Sequence, residues 1–204
     1  MTSLYRYAGK RALDAFLSGV SLAVLSPLLG VVAFAVRLDS PGPVFFVQER
    51  LGRHGCVFKV FKFRTMTDRP RVTTGEIVGR GLGVTRVGYW LRRLKVDELP
   101  QLLNVVRGDM SLVGPRPALP AHIREYDERS RRRLEVRPGL TGLAQVNGNI
   151  HLSWVDRWVY DVQYVESYSF GLDVSIILRT LLVVVRGEEA SLQVPRNSSE
   201  SSPS

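Results

Sequence analysis

The feature that most limits how this chain can fold is an apolar run over residues 12–36, interrupted by one charge at Asp14 and by Ser26-Pro27 near its middle. As a helix, about 25 residues reach across the hydrocarbon core of a bilayer, which takes roughly 20. Lys10-Arg11 precede the run and Arg37, Arg50 and Arg53 follow it, so both flanks carry the charge typical of a cytoplasmic face. Pro27 removes a backbone hydrogen bond from any helix that contains it. Two arrangements therefore stay open on the residues alone: a straight span, and a re-entrant hairpin that enters and leaves on one face. A cleaved signal peptide, formally suggested by Ala33-Phe34-Ala35, fits less well because the run exceeds an ordinary signal core.

The remaining residues allow one respectable core in a chain of 204. An excess of 28 Lys and Arg over 19 Asp and Glu gives a net charge of +9, which suits an anionic partner: a phosphorylated ligand, anionic lipid or nucleic acid. Cys56 is the single cysteine, so no internal disulfide can form, and His54, His122 and His151 are too scattered for a zinc site.

Charge and rigid turns concentrate over residues 91–117. Asp97 and Glu98 are adjacent, Pro100 belongs in a first helical turn, and Leu99, Leu102, Leu103 and Val106 recur at helical spacing before Gly108. The pair is expected at a helix N-terminus, where the dipole favours ionised Asp97 and a nearby phosphate. On these residues alone an ordinary N-cap is the favoured explanation of Asp97, ahead of a catalytic role. Gly114-Pro115-Arg116-Pro117 fixes φ on both sides of one arginine, holding a guanidinium ready for an anion or merely stiffening a surface turn.

Elsewhere, Pro41-Gly42-Pro43 marks a turn, and residues 44–48 and 57–64 read as a β-hairpin. Alternation puts Phe61 and Phe63 on one face and the cations Lys62 and Arg64 on the other. Residues 65–83 read as a long loop, and residues 84–96 mix arginines with Tyr89 and Trp90 as at a membrane interface or a nucleic-acid groove. A helix is expected from Pro117 to Leu134, ending in a solvated run of Arg129, Arg131, Arg132 and Arg133. Residues 137–142 read as a tight turn beside Arg137. Ser153 opens a capping box for a helix to about Tyr168, with Trp154 and Trp158 as anchors. Residues 172–185 suit a core or in-plane helix, and the Ser-rich tail from Asn197 suits disorder.

Taken in order, Lys10-Arg11 with Asp14, the Ser26-Pro27 break, Pro41-Gly42-Pro43-Val44-Phe45-Phe46, Gln48-Glu49-Arg50-Leu51-Gly52, Lys62-Phe63-Arg64-Thr65-Met66, Asp97 to Gln101, Ser111 to Pro117 and Arg137 to Gly148 resemble the bacterial sugar transferase family in its minimal form. These are the monotopic phosphoglycosyl transferases. The resemblance implies an α+β, mostly helical, monotopic membrane protein with a re-entrant helix-break-helix (1–38), a cytoplasmic-face catalytic domain (39–187) with a short β-hairpin and amphipathic interfacial helices, and a disordered tail (188–204). It implies transfer of a sugar-1-phosphate from a UDP-sugar to polyprenyl (undecaprenyl) phosphate at the bacterial inner membrane, releasing UMP, as a first step of glycan assembly. Asp97 would be the nucleophile, carrying a phosphosugar-aspartyl intermediate, and Glu98 would position Mg²⁺ with it. Lys62, Arg92 and Arg116 would contact phosphate or orient the pair, and Arg64, Gln101, Arg137 and Gln145 would contact ligand or support the site. A homo-oligomer is left open and no nucleic acid is expected. The alternative is a membrane-anchored basic binding module for anionic lipid or nucleic acid, without catalysis. One departure stands out: Gly81-Leu82-Gly83 takes the place of an Asp-Pro-Arg-like run before Val84-Thr85-Arg86-Val87-Gly88.

Overall fold

The computed structural model describes residues 5–67 and 83–186. The expected tail, most of the loop over 65–83, and Gly81-Leu82 lie outside them. The apolar run forms one helix, α1 (Lys10–Asp39), and among the described residues it alone is long and apolar enough to cross a membrane. Helical structure continues through Pro27 rather than stopping at the expected break, and Ser26 Oγ donates to the Ala23 carbonyl at 2.8 Å. Its buried positions are Asp14 and Ser18 near one end and Val32 and Val36 near the other. Nothing between them is buried, and Val24 is 72% exposed.

Both ends of α1 are tied to the rest of the chain. At the first, Arg11 donates to the Val105 and Val106 carbonyls at 2.5 and 2.8 Å, Lys10 pairs with Asp173 at 2.5 Å, and Ser111 Oγ donates to Asp14 at 2.5 Å. At the second, Val32 and Val36 pack with Phe63 and Leu91 in one apolar cluster, and the Asp39 carboxylate accepts from the Val87 amide at 2.8 Å.

The hairpin is present, as β1 (Phe45–Leu51) antiparallel to β2 (Val57–Phe63), with Phe45 opposite Phe63 and Leu51 opposite Val57. Helix α2 (Arg86–Arg93) follows, capped by Thr85, which accepts from the Gly88 amide. A 3-10 segment (Val96–Gln101) then runs into α3 (Leu102–Arg107), which ends where expected, on Gly108 at φ 95°.

Two sequence expectations give way here. The tight turn at 137–142 is instead a strand, β4 (Gly139–Thr141), parallel to β3 (Ser111–Val113). Glycine allows that approach: a Cβ at Gly139 would lie 2.1 Å from the Gly114 nitrogen. The helix expected over 117–134 breaks into a 3-10 turn (Pro120–Glu125), one α turn (Glu128–Arg131) and another 3-10 turn (Arg132–Glu135). Asp127 restarts the chain by accepting from the Ser130 amide, so a local cap outweighs the helical pattern across it. In its arginine run, Arg133 is buried and ion-paired rather than solvated.

The C-terminal half closes with α4 (Trp154–Ser167), capped by Ser153 as its sequence requires, and α5 (Phe170–Arg186). Tyr164 and Ile176 join Val113, Leu143 and Val146 in the cluster beneath β3. Trp158 packs edge-on against Tyr126, whereas Trp154 stays largely exposed beside Arg157. The chain is mostly helical with two small two-stranded sheets, the α+β class expected.

Candidate active site

The carboxylate pair sits in the first turn of the 3-10 segment. After α2 the chain reverses through Lys95, which adopts the left-handed region at φ 57°. Pro100 lies inside the segment, where its missing N–H matters little, and Gln101 is buried next to it. Asp97 is not a cap, because no side chain caps this segment.

The two acids face opposite environments. Glu98 Oε1 accepts from Lys62 Nζ at 2.6 Å and from Arg116 Nη2 at 2.9 Å, with Arg116 Nη1 3.5 Å from Oε2. Its side chain is 13% exposed. Burial pushes the Glu98 carboxyl up, but Arg116 and Lys62 overcome that and hold it far below the usual carboxylate range. Asp97, buried except for 9% of its surface, accepts no hydrogen bond from a side chain or amide among the described residues. Burial pushes its carboxyl up to about 6, Glu98 pushes the same way, and Lys62, Lys95 and Arg92 pull against them. Asp97 is thus an ionised acid at neutral pH with open lone pairs, ringed by cations that do not consume them.

The residues expected at the site divide into two groups. Lys62, Arg92, Asp97, Glu98 and Arg116 come together, with Arg92 braced by Thr65 Oγ1 at 3.0 Å. Arg64 does not join them: it is buried under the link between α1 and β1, donating to the Ser40 and Pro41 carbonyls at 2.6 and 2.8 Å. The strand ends at Phe63, so alternation no longer places the next residue. Arg137 donates to the Gly108 carbonyl at 2.8 Å and Gln145 to the Leu140 carbonyl at 3.1 Å, both serving backbone rather than the acid pair. Gln145 Oε1 is buried without a partner.

Metal capacity rests on Asp97. Among the described residues no three His, Cys, Asp or Glu cluster together. Magnesium needs no such cage, since one or two carboxylates and the phosphates of a substrate suffice. The open Asp97 carboxylate fits that requirement, and Glu98 offers only the weakly engaged Oε2.

Sequence reasoning missed the support beneath Arg116. Arg133 donates to the Arg116 carbonyl at 2.7 Å while paired with Asp161, also at 2.7 Å. The signal that could have exposed it was present: a carboxylate inside the apolar stripe of α4, which must find a cation once buried.

Comparison with known proteins points the same way as this geometry. The family model for bacterial sugar transferases matches residues 5–187. The chain is 44% identical over 179 residues to "Uncharacterized sugar transferase EpsL" of Bacillus subtilis, covering 88% of each chain. It is 45% identical over 185 residues to "UDP-glucose:undecaprenyl-phosphate glucose-1-phosphate transferase" of Caulobacter vibrioides, covering 84% of this chain and 68% of that one. It is 44% identical over 185 residues to "Undecaprenyl-phosphate glucose phosphotransferase" of Komagataeibacter xylinus, of which it spans 35%.

Proposed function

We propose a reaction for this chain, which belongs to the bacterial sugar transferase family and is a phosphoglycosyl transferase. It moves a sugar-1-phosphate from a UDP-sugar to undecaprenyl phosphate, the donor and acceptor classes that appear in its relatives' names. The observation that carries the mechanism is the largely buried Asp97 carboxylate, without a hydrogen bond from the described residues, beside a Glu98 clamped at Oε1 by two cations.

An Asp97 oxygen attacks the β-phosphorus of the UDP-sugar. The new O–P bond forms as the bond from that phosphorus to the bridging oxygen breaks, and UMP leaves with the electron pair. A phosphate oxygen of undecaprenyl phosphate then attacks the same phosphorus, returning the Asp97 carboxylate and giving a polyprenyl-diphospho-sugar. Arg92, Lys62 and Lys95 lower the energy of an anion approaching Asp97, which would otherwise meet a bare carboxylate. Glu98 keeps Lys62 and Arg116 in place. Mg²⁺ held by Asp97, with Glu98 Oε2 beside it, would offset charge on the diphosphate.

The burial pattern of α1 supports a re-entrant membrane arrangement. A helix lying flat on a protein surface buries a residue every turn, yet none is buried between Ser18 and Val32. The middle therefore projects away while both ends dock on one unit, as a re-entrant helix kinked at Pro27 would do. The exposed apolar residues of α1, with Trp90 on α2, Leu94 just after it and Leu178, Leu181 and Leu182 on α5, would supply a bilayer-facing surface. Active site and charged helix ends then share the cytoplasmic face.

The test is purified protein in lipid nanodiscs given UDP-sugars, Mg²⁺ and undecaprenyl phosphate. UMP and a lipid-linked product should appear with the wild type and vanish with Asp97→Asn. UMP release that survives in a folded Asp97→Asn variant overturns the covalent route, and binding of anionic lipid or nucleic acid with no turnover would favour the binding-module alternative.

A further inference from the structure

Four consecutive carbonyls of the loop that carries Arg116 are held by four donors from three separate parts of the chain. Pro115 O accepts from the Gly139 amide at 2.8 Å, Arg116 O from Arg133 Nη2 at 2.7 Å, Pro117 O from Arg50 Nη1 at 3.1 Å, and Ala118 O from the Leu51 amide at 2.8 Å. The bond to Arg116 itself comes from the most deeply buried cation of the set. Arg133 and Asp161 are 5% and 2% exposed at their side chains. Arg133 spends Nε and Nη2 on Asp161 Oδ2 and Nη1 on the Tyr126 hydroxyl.

Such a pair is an unusual way to gain stability. Desolvating two charges costs more than their attraction commonly returns, and an apolar pair of similar size is often as stable. Burial here pushes the Asp161 carboxyl up to about 6 even with Arg133 against it. What the pair supplies that an apolar pair cannot is direction. A guanidinium fork with one side fixed on a carboxylate presents its remaining N–H along one line, and that line ends on the Arg116 carbonyl.

We propose that Arg133, oriented by Asp161, is a positioning residue: it fixes the backbone at Arg116 and thereby aims the Arg116 guanidinium at Glu98. Helix α4 is in this way connected to the acid pair through Arg133 and Arg116. The proposal deepens the phosphotransfer reading and rests on it, but its geometric core can be read without turnover.

The first measurement is the anchoring of the Arg116 guanidinium, followed by nitrogen-15 NMR of its side-chain N–H groups on protein in nanodiscs. Arg133→Lys keeps a cation for Asp161 but has no fork to reach both partners. In that variant the Arg116 side-chain signals should move toward those of a solvated arginine, because the guanidinium is no longer aimed at Glu98. Unmoved signals overturn the proposal whether or not the protein turns over. The second is kinetic: Arg133→Lys should lose about tenfold or more in kcat with the donor KM within about threefold. In an Arg116→Ala background the same change should cost nothing further, since a residue acting through Arg116 has nothing left to aim; additive losses would mean that it acts otherwise. The third guards against simple unfolding. Arg133→Met, Asp161→Leu and Tyr126→Phe together remove both charges and the orphaned hydroxyl, and should melt near the wild type while turning over as poorly as Arg133→Lys. Wild-type turnover in that variant overturns the proposal. A wild type that released no UMP would instead remove the phosphotransfer reading, leaving the Arg116 side-chain signals to decide this one.

Discussion

Two of the buried charged clusters among the described residues differ in one respect: the cluster at the root of α1 is closed, and the acid pair is not. At the root of α1, Asp173 Oδ2 accepts from Tyr5 and Lys10, each at 2.5 Å, and Oδ1 accepts from Tyr164 at 2.8 Å. Asp14 completes the set through Ser111. At the acid pair, Glu98 is satisfied in the same way, but Asp97 is left with open oxygens and a carboxyl pushed up to about 6. A closed network ties elements together. A fold that leaves a desolvated carboxylate unpaired gives up stability at that point, and such concessions concentrate where chemistry happens.

The sharpest way to break the contrast is Asp97→Asn. UMP release should fall by about a thousandfold or more, as expected for a lost nucleophile. The same change should stabilise the protein. Because the folded carboxyl sits above its unfolded value of roughly 4, folding disfavours the ionised form, and that cost is absent below pH 4 and complete above pH 6. Asn should therefore raise the melting temperature by a few degrees at pH 7.5, with the gain vanishing near pH 4. An inactive variant that melts lower at pH 7.5 would mean that Asp97 was structural.

Asp173→Ala attacks the closed cluster. It leaves Lys10, Tyr5 and Tyr164 without their shared acceptor, and removing one partner of a buried pair costs about 3–5 kcal/mol. Chemical denaturation should register that loss, and the first turns of α1 should become accessible to protease. If the melt is unchanged, the root of α1 is not held here.

The difference between these clusters also explains what could be read from the chain beforehand. Periodicity and turn chemistry are local, so the hairpin, the Ser153 cap and the Gly108 stop were all legible. The acid pair was visible as adjacent carboxylates, but which of them would stay open was not, because that depends on Lys62 and Arg116 arriving from elements 36 and 18 residues away. Arg133 misled for the same reason. Inside a run of arginines it looks solvated, and only the arrival of Asp161 from α4 takes it into the core. The strand at Gly139–Thr141 needed its partner at Ser111–Val113 before three residues could count as a strand.

A pH profile tests the open acid with a smaller effect. Measured without lipid acceptor, in a single turnover, the rate of UMP release should hold level above about pH 7 and fall about tenfold per unit below 6 as Asp97 takes a proton. Glu98, held far below the usual range, stays ionised throughout and adds no second limb there. A rate that stays flat down to pH 4.5 would place the working carboxyl elsewhere.

The smallest effect is expected at Arg64, two residues from Lys62 and matched to it by simple alternation. Lys62 lies within β2 and reaches Glu98, whereas Arg64 follows the end of the strand and turns to the Ser40 and Pro41 carbonyls. A lysine there keeps the charge and one of the bonds, so Arg64→Lys should cost about 1–2 kcal/mol of stability through the lost hydrogen bonds. It should leave kcat within about twofold, because the acid pair never sees the change. A large kcat loss with an unchanged melt would put Arg64 back among the phosphate ligands and would show that the link after α1 moves during turnover, bringing that guanidinium to the substrate.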